Sequence, residues 1–172
     1  MRMRETIVRD FDDMPGHLAR RFQQIAVAVF HAETGEAGFD MTPVQFAALS
    51  AIAANPGLDQ ATLAGLIAYD RTTIGGVVDR LVQKGLAERN ASSTDRRARV
   101  LQITDQGRDT LERIDPAVDA AQHMLVRGLT EDEAETLMRL LRKAVDAGND
   151  LSRAPQRTAS TAASHERIKP AK

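Results

Sequence analysis

Apolar residues at helical spacing, then a glycine, then an immediate change of period constrain this chain more than anything else in it. Ile74, Val77, Val78, Leu81 and Val82 fall at i, i+3, i+4, i+7 and i+8, the pattern of a helix with one buried face. Gly85 supplies a left-handed stop. From Leu86 the period is two: Leu86, Glu88 and Asn90 alternate against Ala87 and Arg89, and a second strand follows from Arg99 to Ile103 around Val100 and Leu101. A helix that must be covered on one side needs a partner, and the preceding stretch provides it. Gln60 to Ile67 places Leu63, Leu66 and Ile67 on one face, Ala68 and Tyr69 make a turn, and Asp70 is placed to cap a second helix running from Arg71 to about Lys84.

The outer face of that second helix carries Arg71, Thr72, Thr73, Gly76, Arg80 and Gln83, small or polar groups suited to the major groove of DNA. The strands bracket a turn-rich loop, Ala91 to Ala98, that ends in Asp95, Arg96 and Arg97, with Arg99 just beyond. A hairpin beside a helix-turn-helix with arginines at its tip is a wing. Its target is the minor groove, whose negative potential attracts guanidinium groups, and Asp95 is spaced to hold Arg97 extended. The bland reading of the arginines is a solvated hairpin tip; the capped helix-turn-helix before them favours DNA.

The run Asp70-Arg71-Thr72-Thr73-Ile74 through Val78-Asp79-Arg80-Leu81, then Lys84-Gly85-Leu86, then Asp95-Arg96-Arg97-Ala98 to Leu101-Gln102-Ile103-Thr104, resembles the winged helix-turn-helix of the MarR family of bacterial transcription regulators. The resemblance covers about residues 42 to 145. It implies a mainly α fold with a small β-hairpin wing and a helical dimerisation region, a homodimer on a pseudo-palindromic double-stranded operator, and a repressor released by a small ligand. By position it makes Thr72, Thr73 and Arg80 recognition contacts, Arg97 the wing-tip residue and Asp95 its partner. Where many relatives carry a polar then a basic residue, this chain has Gly75 and Gly76. That implies either a closer backbone approach to DNA or a specificity carried by fewer side chains.

With 172 residues the chain suits one domain with tails. Its formal charge of −1 argues against a nucleic-acid partner, but distribution matters more: Arg89 to Arg99 holds four arginines and one aspartate. The absence of cysteine excludes disulfides and thiol sensing, and the 3% aromatic content disfavours base-stacking platforms. No signal peptide or membrane span is legible, which places the protein in the cytoplasm.

Residues 1–13 read as an N-terminal arm. Pro15 suits a helix start with Asp12 or Asp13 as cap, and Leu18, Phe22, Ile25, Val29 and Phe30 continue that helix to about Ala32. A second apolar line through Ala26 and Val27 implies burial on two sides, one of them intermolecular. Thr42 and Pro43 open a scaffold helix through Val44, Ala47, Ala48, Ala51 and Ile52 that stops at Asn55-Pro56-Gly57. Thr104 caps a long helix with Pro116 inside it. Thr130 and Glu133 form a capping box for a last helix, with a stripe of Ala134, Leu137, Leu140, Leu141, Ala144 and Val145. The dimer helices are thus about 14–34 and 105–148, the winged helix-turn-helix about 42–104, the whole MarR-like domain 14–151, and residues 152–172 a disordered tail.

No catalytic motif is present, and Asp12-Asp13 and Asp132-Glu133 sit where caps explain them. His17, His31, His123 and His165 share no metal-ligand spacing, so neither metal nor cofactor is expected. By family analogy an effector pocket lies between the dimer helices and the winged lobe. Its candidates are His17, Arg20 and Arg21 for an anion, with Phe22, Phe39 and Phe46 as apolar lining; the bland reading makes the phenylalanines core and the arginines solvated. The Asp70–Leu81 helix resembles regulators of aromatic-acid breakdown, which points to an aromatic carboxylate or its coenzyme A thioester. A winged-helix protein-interaction module and an effector-independent DNA-binding protein stand as alternatives.

Overall fold

The computed structural model describes residues 11–92 and 99–157. These form six α-helices, one two-stranded antiparallel sheet and a terminal 3-10 turn: α1 Pro15–Glu36, α2 Pro43–Ala54, α3 Gln60–Leu66, α4 Ile74–Gln83, β1 Ala87–Ala91, β2 Arg99–Ile103, α5 Asp105–Leu125, α6 Glu131–Ala147 and the turn Asn149–Leu151. The fold is mainly α with a small hairpin wing, as expected.

Side-chain caps set most helix starts. Thr42 accepts from the Gln45 amide while the Gln45 side chain accepts from the Thr42 amide, both at 3.2 Å, a capping box ahead of Pro43. Thr130 and Glu133 repeat the arrangement at α6, and Thr104 accepts from Gly107 N at α5. At α1 the expected Asp12 or Asp13 cap is not made. Met14 occupies the N-cap position with no side-chain bond, its N–H donating to Phe11 O, and Pro15, which has no N–H to satisfy, takes the first turn. Helix α1 also passes the expected stop at Ala32. Thr34 is fully buried with its hydroxyl donating to Phe30 O at 2.8 Å, and the left-handed residue that turns the chain is Gly38, φ +82°.

The core lies between α2, α3, α4, the hairpin and α5. Leu49, Ile52, Leu63, Ile74, Val78, Leu81, Leu101 and Ile114 are essentially without solvent contact. Burying each such side chain contributes about 1.5–3 kcal/mol. The hairpin pairs Ala87 with Ile103 and Ala91 with Arg99, and it is pinned from its other edge: Leu101 N donates to Leu58 O at 2.8 Å and Gly57 N to Leu101 O at 3.1 Å. Helix α1 packs chiefly along α5. Among the described residues, neither α1 nor α6 has its apolar face fully covered. Leu18 and Ile25 are about half exposed at 48% and 49%, and no residue of α6 is buried, with Val145 55% exposed. Among the described residues no helix is long and apolar enough to cross a membrane.

The described tail departs from expectation. Residues 152–157 are not a solvated extension: they fold back onto α3 through polar contacts that low hydrophobicity does not reveal. Residues 158–172 and 1–10 lie outside the described residues.

Candidate nucleic-acid interface

Helix α3 begins at Asp59, whose Oδ1 accepts from Ala61 N at 2.7 Å and Thr62 N at 3.0 Å while Oδ2 accepts from the Thr62 hydroxyl at 2.6 Å. Burial pushes this carboxyl's pKa up, but the hydrogen bonds from Thr62 and Ala61 outweigh it and the net direction is down. The helix ends in a tight turn with Ala68 at φ +52° and Tyr69 N donating to Ala64 O at 2.8 Å. Asp70 then organises the entry to α4. Its Oδ1 accepts from the amide and the hydroxyl of Thr72, and its carbonyl accepts from Ile74 N at 3.0 Å and from the Thr73 hydroxyl at 3.1 Å. Thr72's hydroxyl, then its amide, hold the Asp70 carboxyl below the usual carboxylate range, with Arg153 adding to the effect.

Regular helix therefore starts at Ile74, three residues later than expected from Arg71. Threonine's affinity for local backbone and side-chain partners competes with helix here. Arg71, Thr72 and Thr73 project from the entry turn rather than from the helix. All of Arg71, Thr72, Thr73, Gly76, Arg80 and Gln83 are exposed, while Ile74, Val78 and Leu81 are sealed beneath them. The hydroxyl hydrogens of Thr72 and Thr73 are committed to Asp70, leaving lone pairs that accept.

Two polar clips fix this helix to its surroundings, and spacing showed neither. Asp79, on the outer side of α4, accepts from Arg89 of β1 at 2.6 Å. Lys84 donates to the Asp40 carboxylate at 2.9 Å and also to its carbonyl, tying the end of α4 to the α1–α2 loop and holding the Asp40 carboxyl below its usual range. Gly85, at φ +71°, turns the chain into β1. On the hairpin Asn90 Nδ2 donates to Glu88 Oε1 and Gln102 Oε1 at 2.8 and 2.9 Å. Arg99 is exposed. Asp95, Arg96 and Arg97 lie outside the described residues. Arg89 is compensated by Asp79, so its charge does not add to a cationic wing as the sequence sum implied.

The six effector candidates are not brought together in one chain. His17 sits at the start of α1, edge-on to Phe11 at 5.0 Å, with Asp12 at 3.9 Å and Arg20 at 3.5 Å; Arg20 also donates to Gln24 at 2.9 Å. Arg21 and Phe22 line an open apolar groove of about 480 Å³ with Leu18, Ile25, Leu137 and Leu141. Phe46 packs on Phe30 at 6.0 Å, and Phe39 lies beneath the guanidinium of Arg113 at 5.6 Å. From His17 to Phe30 the helix rises about 20 Å at ~1.5 Å per residue, which separates the cationic set from the phenylalanines of the core end. Among the described residues no cluster of three or more potential ligands could hold a metal ion.

Comparison with known proteins matches residues 39–98 to the MarR family. The putative transcriptional regulatory protein for the hcr operon of Thauera aromatica is 36% identical over 132 residues, 76% of this chain and 80% of that protein. The structure of BpsR from Bordetella bronchiseptica, whose DNA binding is described as regulated by 6-hydroxynicotinic acid, superposes with a TM-score of 0.75 at 28% identity, covering 81% of this chain and 98% of that one. The transcriptional repressor CouR, solved on a 23-mer DNA duplex, gives 0.73 at 28% identity over 83% and 99%.

Proposed function

The chain belongs to the MarR family and is a transcriptional regulator, and on that premise we propose that it is a homodimeric repressor released from a pseudo-palindromic operator by an aromatic carboxylate or its coenzyme A thioester. The observation that carries the reading is the division of α4 and its entry turn. The inward face is sealed, while Arg71, Thr72, Thr73, Gly76 and Arg80 stand uncovered. The threonine lone pairs suit the amino groups of adenine and cytosine, and Arg80 suits the acceptor pair of guanine. Arg96, Arg97 and Arg99 provide the wing contact to the minor groove, with Asp95 supporting Arg97.

Dimerisation is supported by the uncovered apolar lines of α1 and α6, which a second copy would bury. Two such heads enter successive major grooves about 34 Å apart. For the effector, a conjugated acid fits guanidinium groups beside apolar surface, as at Arg21 and Phe22 or at Arg113 and Phe39, and BpsR responds to an acid of that class. A differential affinity of about 1–3 kcal/mol between lobe separations gives roughly a 5–150-fold response. Such a regulator works in the cytoplasm, where its operator is.

The test is selection of bound duplexes from a random library by the purified dimer at two salt concentrations, with aromatic acids and their thioesters added. An enriched palindrome released by one compound supports the reading. No enriched sequence moves the assignment to a protein-interaction module, and a palindrome that nothing releases leaves an effector-independent DNA-binding protein. Arg97→Ala should weaken binding and flatten its salt dependence with the dimer intact; unchanged binding at every salt concentration would remove the wing from the interface.

A further inference from the structure

The segment after α6 is built into the helix-turn-helix. Asn149 and Gln156 close a loop by two reciprocal bonds, Gln156 N to Asn149 Oδ1 at 2.7 Å and Asn149 Nδ2 to Gln156 O at 3.0 Å. The loop delivers two donors to the end of α3: Arg157 N to Gly65 O at 2.9 Å and Gln156 Nε2 to Leu66 O at 3.1 Å. Those carbonyls belong to the last turn of a helix, where no i+4 amide completes the ladder; Gly65 O also accepts from Ala68 N at 3.3 Å. The aliphatic stem of Arg157 lies over Gly65, close enough that a Cβ there would meet it at 3.3 Å. Arg153 Nε pairs with Asp70 Oδ2 at 3.3 Å, and its side chain is 87% exposed. The result is a cleft of about 320 Å³ whose lining includes Arg71, Arg153 and Arg157, with Asp70 as its carboxylate. That carboxylate is already engaged by Thr72 and by Arg153.

We propose that residues 149–157 are an arm of the DNA interface in which Arg153 and Arg157, set beside Arg71, hold the phosphodiester backbone next to the groove that α4 enters. The inference rests on the DNA-binding reading above and deepens it. A guanidinium fork matches phosphate oxygens in charge and shape. The placement also has a reason: α3's terminal carbonyls hold the strap, so the arginines reach the lip of the reading head on a fixed backbone rather than on a loose tail.

The experiment measures the affinity of the full-length dimer for the duplex enriched above and for a scrambled duplex of equal length, across a salt series. Wild type is compared with the double variant Arg153→Gln/Arg157→Gln and with Arg153→Lys/Arg157→Lys. Removing one phosphate interaction lowers the slope of log K against log salt by about 0.9, so the glutamine pair should lower it by about 1.8 on both duplexes. From a common value near 1 M salt, that makes binding at ~0.1 M salt weaker by a factor on the order of 60. The lysine pair should recover most of the slope. A slope equal to wild type overturns the proposal, and so does weaker binding with unchanged slope, which would make the strap a brace for the turn only. Tighter binding by the glutamine pair overturns it in favour of a tail that shields the reading face. If wild type binds neither duplex, the DNA-binding reading itself fails; if wild type binds with a steep slope and only the strap variants are silent, the strap alone is at fault.

Discussion

Replacing Gly76 by alanine separates the two explanations of the paired glycines at the start of α4. Gly76 is exposed between Thr73 and Arg80, and a Cβ built there meets nothing within 4 Å; at Gly75 it meets only Gln60 Nε2, the end of a flexible side chain, at 3.3 Å. Glycine within a helix costs about 0.5–1 kcal/mol relative to alanine. Nothing among the described residues requires it at position 76. Gly76→Ala should therefore stabilise the fold by about that amount, raising the melting temperature by roughly 1–4 °C for a chain of this size. The close-approach explanation then puts the reason for the glycine in the DNA, with the α4 backbone nearer to it than a methyl group permits. On that account operator affinity falls at least about tenfold, equivalent to ~1.4 kcal/mol. Urea and thermal unfolding at fixed protein concentration give the first quantity, and fluorescence anisotropy with a labelled duplex gives the second. A variant less stable than wild type refutes the backbone reasoning. One that is stabilised and binds undiminished refutes the close approach and leaves a specificity carried by fewer side chains.

Three other perturbations test the geometry. Gly107→Ala brings a Cβ to 2.1 Å from Leu86 O and 2.7 Å from Ile103 Cγ1, a clash with backbone that side-chain motion cannot relieve, so unfolding experiments should show a loss of about 1–3 kcal/mol or more. Leu141→Glu places a charge on the uncovered stripe of α6; sedimentation should show monomer in place of dimer with helix content retained, and an unchanged sedimentation profile removes α6 from the interface. Asp59 and Asp70 have carboxyl pKa values below their ordinary 3.8 in the folded chain, so their contribution to stability is complete above about pH 4 and is lost as the pH falls through the lowered values. Melting temperatures from pH 7 to 2 should drop in that acid window, and the drop should be shallower in Asp59→Asn/Asp70→Asn.

What the sequence disclosed was local, and what it concealed was polar and long-range. The i, i+4, i+7 face of Ile74, Val78 and Leu81, the Thr130–Glu133 box, the Thr42 and Thr104 caps and the Gly85 stop each depend on residues within one or two turns, and each stands where its spacing placed it. Asp70 was legible as a cap, but not its grip on two threonine hydroxyls, which delays the helix to Ile74. The effector candidates were chosen by residue type, and type carries no distance. Strap contacts between positions 153–157 and 65–70 leave no period at all, because they are made by a backbone amide and single side chains of Gln156 and Arg153.

The concealed contacts also resolve an apparent conflict between the net charge of −1 and a DNA-facing surface. Summing charges along the chain counts Asp70 and Asp79 against phosphate. In space Asp79 is held by Arg89 and Asp70 by Arg153 and Thr72, so both outer carboxylates are neutralised by partners from other elements. Arg71 and Arg80 are then left to set the potential along α4, with Glu88 set back on β1 and bonded by Asn90. Removing either partner arginine therefore leaves a carboxylate uncompensated beside the DNA. Arg89→Ala, though Arg89 itself is paired with Asp79, should for that reason weaken duplex binding more than its own position suggests, and Asp79→Asn in the same chain should restore part of the deficit. A double variant no better than Arg89→Ala would mean that the clip acts only by bracing the hairpin against α4.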